Sequence, residues 1–254
     1  ITGKGGVGKT TLAALLAYTY AQEGIKVLVI DADPDANLAS AIGLAEDVAE
    51  QITPIAQLAD LIEERTGARP GQIGSLFCLN PRVDDIPDRF SAAHRGIQLL
   101  VLGTVQRGGA GCICPESALL KNLVRHLFVG RSEAIIMDME AGIEHLGRGT
   151  ADSVDAFIVV VEPGQRSLQT ARAIKRLSAD IGIHEVYVVG NKIREGQRKV
   201  SIQGVFPGDK VLGFLPFSDK AIEADINGVA IFDADEEESE DMRSYLELAV
   251  SCQR

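Results

Sequence analysis

The sequence predicts an α/β fold in which a mainly parallel sheet carries helices on both faces. Apolar runs of strand length alternate with helical stretches along the chain, and these runs are continuously rich in Val and Ile. Continuous apolar runs are typical of strands that are buried on both faces, as they are in parallel sheets. The chain of 254 residues contains no internal repeat and no low-complexity linker, so we expect a single domain over residues 1–254.

The predicted elements follow one another as strands and helices. Apolar runs predict strands at 26–30, 97–102, 134–137, 156–161, 186–189 and 211–214. Helical spacing of apolar residues predicts helices at 11–21, 55–65, 116–128 and 167–181, and residues 45–96 are otherwise less regular. Two residues precede the glycine-rich stretch that begins at Gly3, so we expect several further residues before Ile1 that complete a first strand.

Residues 3–11, GKGGVGKTT, match the phosphate-binding pattern G-x-x-x-x-G-K-[ST]. Glycines let the chain turn tightly, so that backbone N–H groups and the start of the next helix cradle phosphate oxygens. Lys9 is expected to reach the β- and γ-phosphates, and the Thr10 hydroxyl is expected to hold Mg²⁺. A glycine-rich turn that matches by chance is the alternative, and the agreement of spacing, lysine, hydroxyl and following helix disfavours it. The predicted nucleotide-binding residues of this loop are Gly3, Gly5, Gly6, Val7, Gly8, Lys9, Thr10 and Thr11.

Three aspartates follow predicted strands, where α/β sheets bind their ligands. Asp31 and Asp33 come directly after strand 26–30, and Asp138 follows strand 134–137. In P-loop enzymes an aspartate in the position of Asp138 orients the water ligands of the metal. A single aspartate at a strand end is more commonly a helix cap or a turn residue. The phosphate-binding loop favours the metal role, and it makes Mg²⁺ the expected companion of the nucleotide.

A second lysine, Lys4, directly follows the first glycine of the loop. With it, the sequence resembles the deviant Walker A (SIMIBI) P-loop ATPases typified by MinD, ParA and the nitrogenase iron protein. The resemblance implies that Lys4 reaches the nucleotide of a partner subunit, much as an arginine finger acts in trans. It also implies that Asp33 positions the attacking water, that Asp31 supports the Mg²⁺ shell, and that residues 138–150 sense the γ-phosphate. The alternative for Lys4 is a solvated lysine beside a polyphosphate.

Asn191-Lys192 at the end of a predicted strand resembles the adenine-reading element of the same superfamily. An asparagine amide offers a donor and an acceptor, which match the N6/N7 edge of adenine. Glu162-Pro163 is expected to lie against the base. The guanine motif N-K-x-D is incomplete, because Arg194 stands where its aspartate belongs, so ATP and ADP are favoured over guanine nucleotides.

Cys112-Ile113-Cys114 follows a glycine-rich stretch and precedes Pro115. Proline is favoured at the first helical position, so Cys114 is the expected N-cap, where a thiol is more readily ionised and binds soft metals. Two thiols are half of a four-ligand zinc or nickel site, and Cys78 and Cys252 are isolated in the sequence. A symmetric homodimer supplies the pair twice and predicts a shared Ni²⁺ or Zn²⁺ site. The alternative is two incidental cysteines that act as small hydrophobes.

The loop GKGGVGKTT, the segment DADPD, the C-x-C and the run DMEAGIEHLGRGT together resemble the CooC ATPases. The C-x-C and GIEHLGRGT are the specific parts, and the resemblance extends through nearly the whole chain. It implies an ATP-hydrolysing, dimeric metallochaperone that supports nickel insertion into the active-site cluster of carbon monoxide dehydrogenase. His145 in this run is more often a hydrogen-bonded structural residue than a metal ligand or charge sensor.

The bulk properties weigh against two classes of partner. A net charge of −11 and a pI of about 4.9 argue against nucleic acid, which requires a concentrated Lys/Arg surface. No apolar run is long enough to cross a membrane and no signal peptide is visible, and we expect no membrane partner. The four cysteines do not resemble a secreted disulfide framework in a chain of this size, so we expect a reducing cytoplasm. Two alternatives stay open: a positioning ATPase of the ParA or MinD kind, and an iron–sulfur cluster carrier or reductase with two cysteines per subunit.

Overall fold

Eight strands form the centre of the fold in this computed structural model. The residues that it describes are 1–72, 76–103, 114–128, 134–140, 154–194, 202, 204–207, 210–234, 244 and 247–249. The strands are β1 (Thr2–Gly3), β2 (Val27–Asp31), β3 (Ala92–His94), β4 (Ile97–Val101), β5 (Ala134–Asp138), β6 (Phe157–Val161), β7 (Val186–Ile193) and β8 (Val211–Pro216).

Helices connect these strands. The described helices are α1 (Lys9–Gln22), α2 (Leu38–Ala41), α3 (Glu46–Ala49), α4 (Ala59–Thr66), α5 (Ile86–Phe90), α6 (Pro115–Phe128), α7 (Gln165–Ile181) and α8 (Asp219–Ile226), with a 3₁₀ turn at Ile55–Gln57. None of the helices in these ranges is long and apolar enough to cross a membrane.

The strands form two four-stranded arrays, ordered β3-β4-β2-β5 and β1-β6-β7-β8. Neighbouring strands are parallel except for the antiparallel pair β3 and β4. The backbone N–H of Met139 donates to Ile1 O at 3.0 Å, and Ile1 N donates to Met137 O at 2.6 Å, so the arrays meet where β5 lies beside β1. The predicted α/β fold with a mainly parallel sheet is confirmed.

Apolar side chains cover both faces of the sheet, which explains why its strands are continuously apolar. In β2, Leu28 and Ile30 pack in one buried cluster with side chains from α6 and α7. Val27 and Val29, which point to the opposite face, pack in a second cluster with α1. All five residues of β2 are buried.

Local structure differs from the sequence prediction in several places. The helix predicted at 55–65 is divided at Leu58, whose ψ of 76° is not helical. Strand β7 continues past its predicted end at 189 through Asn191 and Lys192 to Ile193. The additions to the predicted elements are the short strand β3 and the helices α2, α3, α5 and α8. Helix α6 begins at Pro115, as the proline predicts.

Candidate functional site

The phosphate-binding loop connects β1 to α1. Gly6 and Gly8 have φ angles of 77° and 93°, in the left-handed region that favours glycine. A Cβ on Gly8 would lie 2.3 Å from Asn191 Nδ2, so this position has no room for a side chain. The sequence therefore folds here into a tight turn that leads directly into the N-terminus of α1.

A cleft of about 780 Å³ opens in front of this loop. It is bounded by the loop itself, by the segment after β2, by the end of β7 and by the segment from 217 to 231, which includes α8. Predicted site residues that line it are Gly5, Gly6, Gly8, Lys9, Thr10, Thr11, Asp33, Asn191 and Lys192. The fold thus brings together at one cleft residues that lie as far apart in the chain as Gly5 and Lys192.

Lys9 and Asp33 face each other in this cleft. The Lys9 Nζ lies 3.7 Å from Asp33 Oδ2, with the side chains only 6% and 15% exposed. The other Asp33 oxygen accepts a hydrogen bond from the backbone N–H of Asp35 at 3.1 Å. The lysine of the phosphate-binding loop and the predicted water-positioning carboxylate are therefore paired directly.

Thr10 and Asp138 form the second pair. The Thr10 hydroxyl donates to Asp138 Oδ2 at 2.6 Å, and Asp138 is 1% exposed. Burial raises the pKa of Asp138, and the hydrogen bond from Thr10 acts in the opposite direction. Asp138 Oδ1 is buried without a hydrogen-bond partner among the described residues. A hydroxyl next to a buried carboxylate with an uncommitted oxygen fits Mg²⁺, which prefers oxygen ligands.

Asp31 holds the segment that carries Asp33. Its Oδ1 accepts from the backbone N–H of Asp33 at 3.1 Å, and its Oδ2 accepts from the backbone N–H of Leu38 at 3.0 Å. Burial raises the pKa of Asp31 to about 7, although these two hydrogen bonds lower it. Both oxygens are used by the protein backbone, and a contribution of Asp31 to the Mg²⁺ shell stays a prediction.

Asn191 and Lys192 contact the phosphate-binding loop itself. Asn191 Nδ2 donates to Val7 O at 2.8 Å, and Lys192 Nζ donates to Gly6 O at 2.5 Å. Lys192 Nζ also lies 3.0 Å from Glu162 Oε1, which connects the Glu162-Pro163 turn to the same place. The predicted contacts of Asn191, Glu162 and Pro163 with adenine stay predictions.

Lys4 is exposed, as a residue that reaches a partner subunit has to be. Cys114 is half-buried and directly precedes α6, where its carbonyl accepts from Ala118 N at 3.0 Å. Cys112, His145 and switch II residues 141–150 lie outside the described residues. Within the described ranges, no three His, Cys, Asp or Glu side chains are grouped as a metal ion requires.

One wall of the cleft, formed by α8 and its flanks, was not predicted from the sequence. Helix α8 and its flanks contribute Ser218, Ala221, Ile222 and Asp225, and Phe217 lies just before them. Glu140 also lines the cleft, and its carbonyl accepts from the Thr2 hydroxyl at 2.7 Å. A signal for α8 was present, because Ser218 followed by Asp219 is a typical N-cap and first-turn pair.

Comparison with known proteins agrees with this geometry. Residues 1–232 match the family described as the CobQ/CobB/MinD/ParA nucleotide binding domain. The chain is 47% identical over 233 residues to the carbon monoxide dehydrogenase accessory protein CooC of Rhodospirillum rubrum, covering 92% of this chain and 88% of that protein. It is 45% identical over 234 residues to an ATP-binding protein of Methanocaldococcus jannaschii, covering 91% and 89%.

Solved structures share the fold. The MinD cell division protein of Aquifex aeolicus superposes with a TM-score of 0.69 at 22% identity, covering 100% of this chain and 95% of that one. MinD of Pyrococcus horikoshii, complexed with Mg-ADP, superposes with a TM-score of 0.70 at 18% identity, covering 100% and 97%. The family match and the two close relatives confirm the resemblance found in the sequence. The chain therefore belongs to the CobQ/CobB/MinD/ParA nucleotide-binding family, as an ATPase of the MinD/ParA type similar to CooC.

Proposed function

We propose that this chain is an ATP-dependent accessory protein of carbon monoxide dehydrogenase that acts as a homodimer and delivers nickel to the active-site cluster of that enzyme. One observation carries the proposal, which is the 47% identity to Rhodospirillum rubrum CooC over 92% of the chain. The C-x-C at Cys112 and Cys114 adds a chemical reason, because thiolates bind nickel and zinc well.

The geometry of the cleft supports the ATP-hydrolysing part of this proposal. Lys9 binds the β- and γ-phosphates, and Asp33, paired with it at 3.7 Å, is placed to orient the attacking water. Thr10 and Asp138, which are hydrogen-bonded to each other, would hold Mg²⁺, and the ion would supply positive charge to the phosphate oxygens. Asp31 keeps the Asp33 segment in place through two backbone hydrogen bonds.

The cysteines support the metal-delivery part of the proposal. Cys114 stands at the start of α6, and Cys112 precedes it by two residues. One chain offers two thiols to the metal, and two chains offer four, the number that zinc and square-planar nickel sites use. Occupancy of the nucleotide cleft and of the shared thiol site are then coupled through the dimer.

The test is a titration of the reduced protein with Ni²⁺ and with Zn²⁺, with and without nucleotide, while molecular mass is measured. We expect one metal ion per two chains and a dimer in the metal-bound state. Cys112→Ser and Cys114→Ser are each expected to abolish both. Cys78→Ser is the matched control, because Cys78 is exposed and outside the C-x-C.

Two results would contradict the proposal. Unchanged metal stoichiometry in Cys112→Ser would exclude the thiol site. A brown protein that contains iron and sulfide at one cluster per two chains would instead identify a cluster carrier.

A further inference from the structure

The end of β7 contains a bulge beside the phosphate-binding loop. In the pairing of β7 with β8, Gly190 lies opposite Phe214 and Ile193 lies opposite Pro216, so β7 contains one extra residue between these two pairs. The bulge therefore lies in the two-residue segment Asn191-Lys192. Within it, Lys192 adopts a left-handed φ of 57°. Bulges of this kind redirect side chains and are common beside active sites.

Both redirected side chains donate to carbonyl groups of the loop. Asn191 is 3% exposed, and both polar atoms of its amide contact the protein: Nδ2 donates to Val7 O at 2.8 Å and Oδ1 accepts from Lys192 N at 2.8 Å. Lys192 Nζ donates to Gly6 O at 2.5 Å. The bond from Asn191 to Val7 O is buried, and a buried carbonyl without a partner costs free energy. The bond from Lys192 to Gly6 O is exposed, and its donor is charged, which strengthens it. Both donors therefore favour one orientation of the peptides that follow Gly6 and Val7.

The orientation of those peptides matters for the ligand. A peptide group has its N–H and C=O on opposite sides, so fixing the carbonyl toward β7 also fixes where the following N–H points. Phosphate is bound in such loops by N–H groups that converge on the anion. The Glu162 carboxylate, 3.0 Å from Lys192 Nζ, holds the lysine in place, and Ser167 Oγ accepts from Glu162 N at 3.0 Å and so fixes the glutamate backbone.

We propose that Asn191 and Lys192, with Glu162 as the counter-ion of the lysine, are positioning residues that preorganise the phosphate-binding loop. Their removal weakens the binding of the phosphate chain whatever base is attached to it. This differs from adenine reading, which affects ATP and leaves a base-free polyphosphate untouched. The proposal rests on nucleotide binding by the family and not on the metal step, so a failed metal titration leaves it standing.

The experiment compares ATP with inorganic tripolyphosphate, each measured by competition against a fluorescent ATP analogue on the Mg²⁺-containing protein. In Asn191→Ala and in Lys192→Met we expect affinity for both ligands to fall by the same factor, roughly tenfold. Lys192→Arg keeps a charged donor and is expected to recover most of the affinity. Glu162→Gln is expected to fall between Lys192→Met and the unmodified protein.

Controls separate positioning from a general loss of structure. Lys26→Met removes an exposed lysine that precedes β2, at the end of the strand opposite Asp31, and does not line the cleft. It is expected to change neither affinity. The unfolding midpoint is measured without ligand for every variant. If Asn191→Ala does not fold, Lys192→Met decides the matter, because the lysine side chain is 40% exposed and its truncation leaves the core intact.

Three outcomes overturn the proposal. One is a loss for ATP with tripolyphosphate unchanged, which would assign the two residues to the base. Another is a lower unfolding midpoint with both affinities unchanged. The third is a failure of tripolyphosphate to compete in the unmodified protein, since a preorganised loop binds phosphate without a base.

Discussion

Asp31 and Asp138 end neighbouring parallel strands in register, yet their carboxylates have different surroundings. Each is 1% exposed, and burial raises the pKa of each. Both oxygens of Asp31 accept backbone N–H groups, whereas Asp138 has one oxygen on the Thr10 hydroxyl and another without a partner among the described residues. Asp31 is therefore suited to hold the Asp33 segment, and Asp138 is suited to meet a ligand.

The raised pKa of Asp31 predicts a pH dependence of stability. Its pKa is about 7 in the folded protein and 3.8 without the fold, so between these values the folded state binds more protons than the unfolded state. Stability then falls as pH rises, with a contribution from Asp31 of at most ~1.4 kcal/mol per pH unit. We expect urea unfolding without Mg²⁺ or nucleotide to give a larger free energy at pH 5 than at pH 7.5.

Asp31→Asn tests the assignment of this slope. The variant cannot titrate, so its free energy of unfolding is expected to change less with pH over the same window. Asp35→Asn, at an exposed position in the same segment, is the control and is expected to keep the full slope. Equal slopes in Asp31→Asn and the unmodified protein would show that another group is responsible.

At the scale of elements, α8 and its flanks line one wall of the cleft. The N-cap of α8 is Ser218, whose side chain accepts from Ala221 N at 3.4 Å. Asp219 in the first turn adds a charge of the favourable sign at the N-terminus. The helix therefore depends on a local signal at its start, although Ala224 also packs in the apolar cluster around α1.

Ser218→Ala is expected to destabilise the protein by roughly 0.5 to 1 kcal/mol, the lower part of the range for N-caps, because the capping hydrogen bond is long. Ser218→Thr keeps the hydroxyl and is expected to retain most of the stability. Urea unfolding measures both, with Ser40→Ala as a control that removes a hydroxyl from the cleft wall at an exposed position. If all three variants were equally stable, Ser218 would not be acting as a cap.

Strands and motifs with a strong periodic or chemical signal were predictable from sequence. β2 and β6 follow continuous apolar runs, and both strands were predicted to within one residue. The phosphate-binding loop was found by its fixed spacing, although α1 begins at Lys9, two residues before its predicted start. The antiparallel β3 is three residues long and only partly buried, which leaves little pattern.

The bulge in β7 was not predictable from local sequence. It depends on pairing with β8, and the contacts of Asn191 reach Val7, 184 residues away. Asn191 and Lys192 were predicted from sequence as site residues, and only the tertiary structure relates them to the loop backbone.

At the scale of the whole molecule, the phosphate-binding loop lies where the two strand arrays meet. Asp31 and Asp138 come from one array, and Asn191 and Lys192 come from the other. The backbone hydrogen bonds of Ile1 with β5 and its continuation join the arrays beside the loop. The loop is thus contacted from both sides, and Lys4 stays exposed at its surface.

Lys4 gives the last prediction, because a side chain that acts on the nucleotide of a partner subunit can be supplied by a different chain. We expect Lys4→Ala to bind ATP nearly as well as the unmodified protein and to lose hydrolysis by roughly 10³-fold, as removal of an arginine finger does. Lys9→Ala is expected to lose hydrolysis because its own cleft no longer holds the phosphates. In a mixed dimer, the intact cleft of the Lys4→Ala chain receives Lys4 from the Lys9→Ala chain, so mixing two inactive variants is expected to restore part of the ATPase rate. The reference for this rate is a mixture of Lys9→Ala with Lys26→Ala, a chain that keeps both Lys4 and Lys9 and changes only an exposed lysine. A mixture that forms dimers and stays inactive would show that Lys4 acts within its own chain.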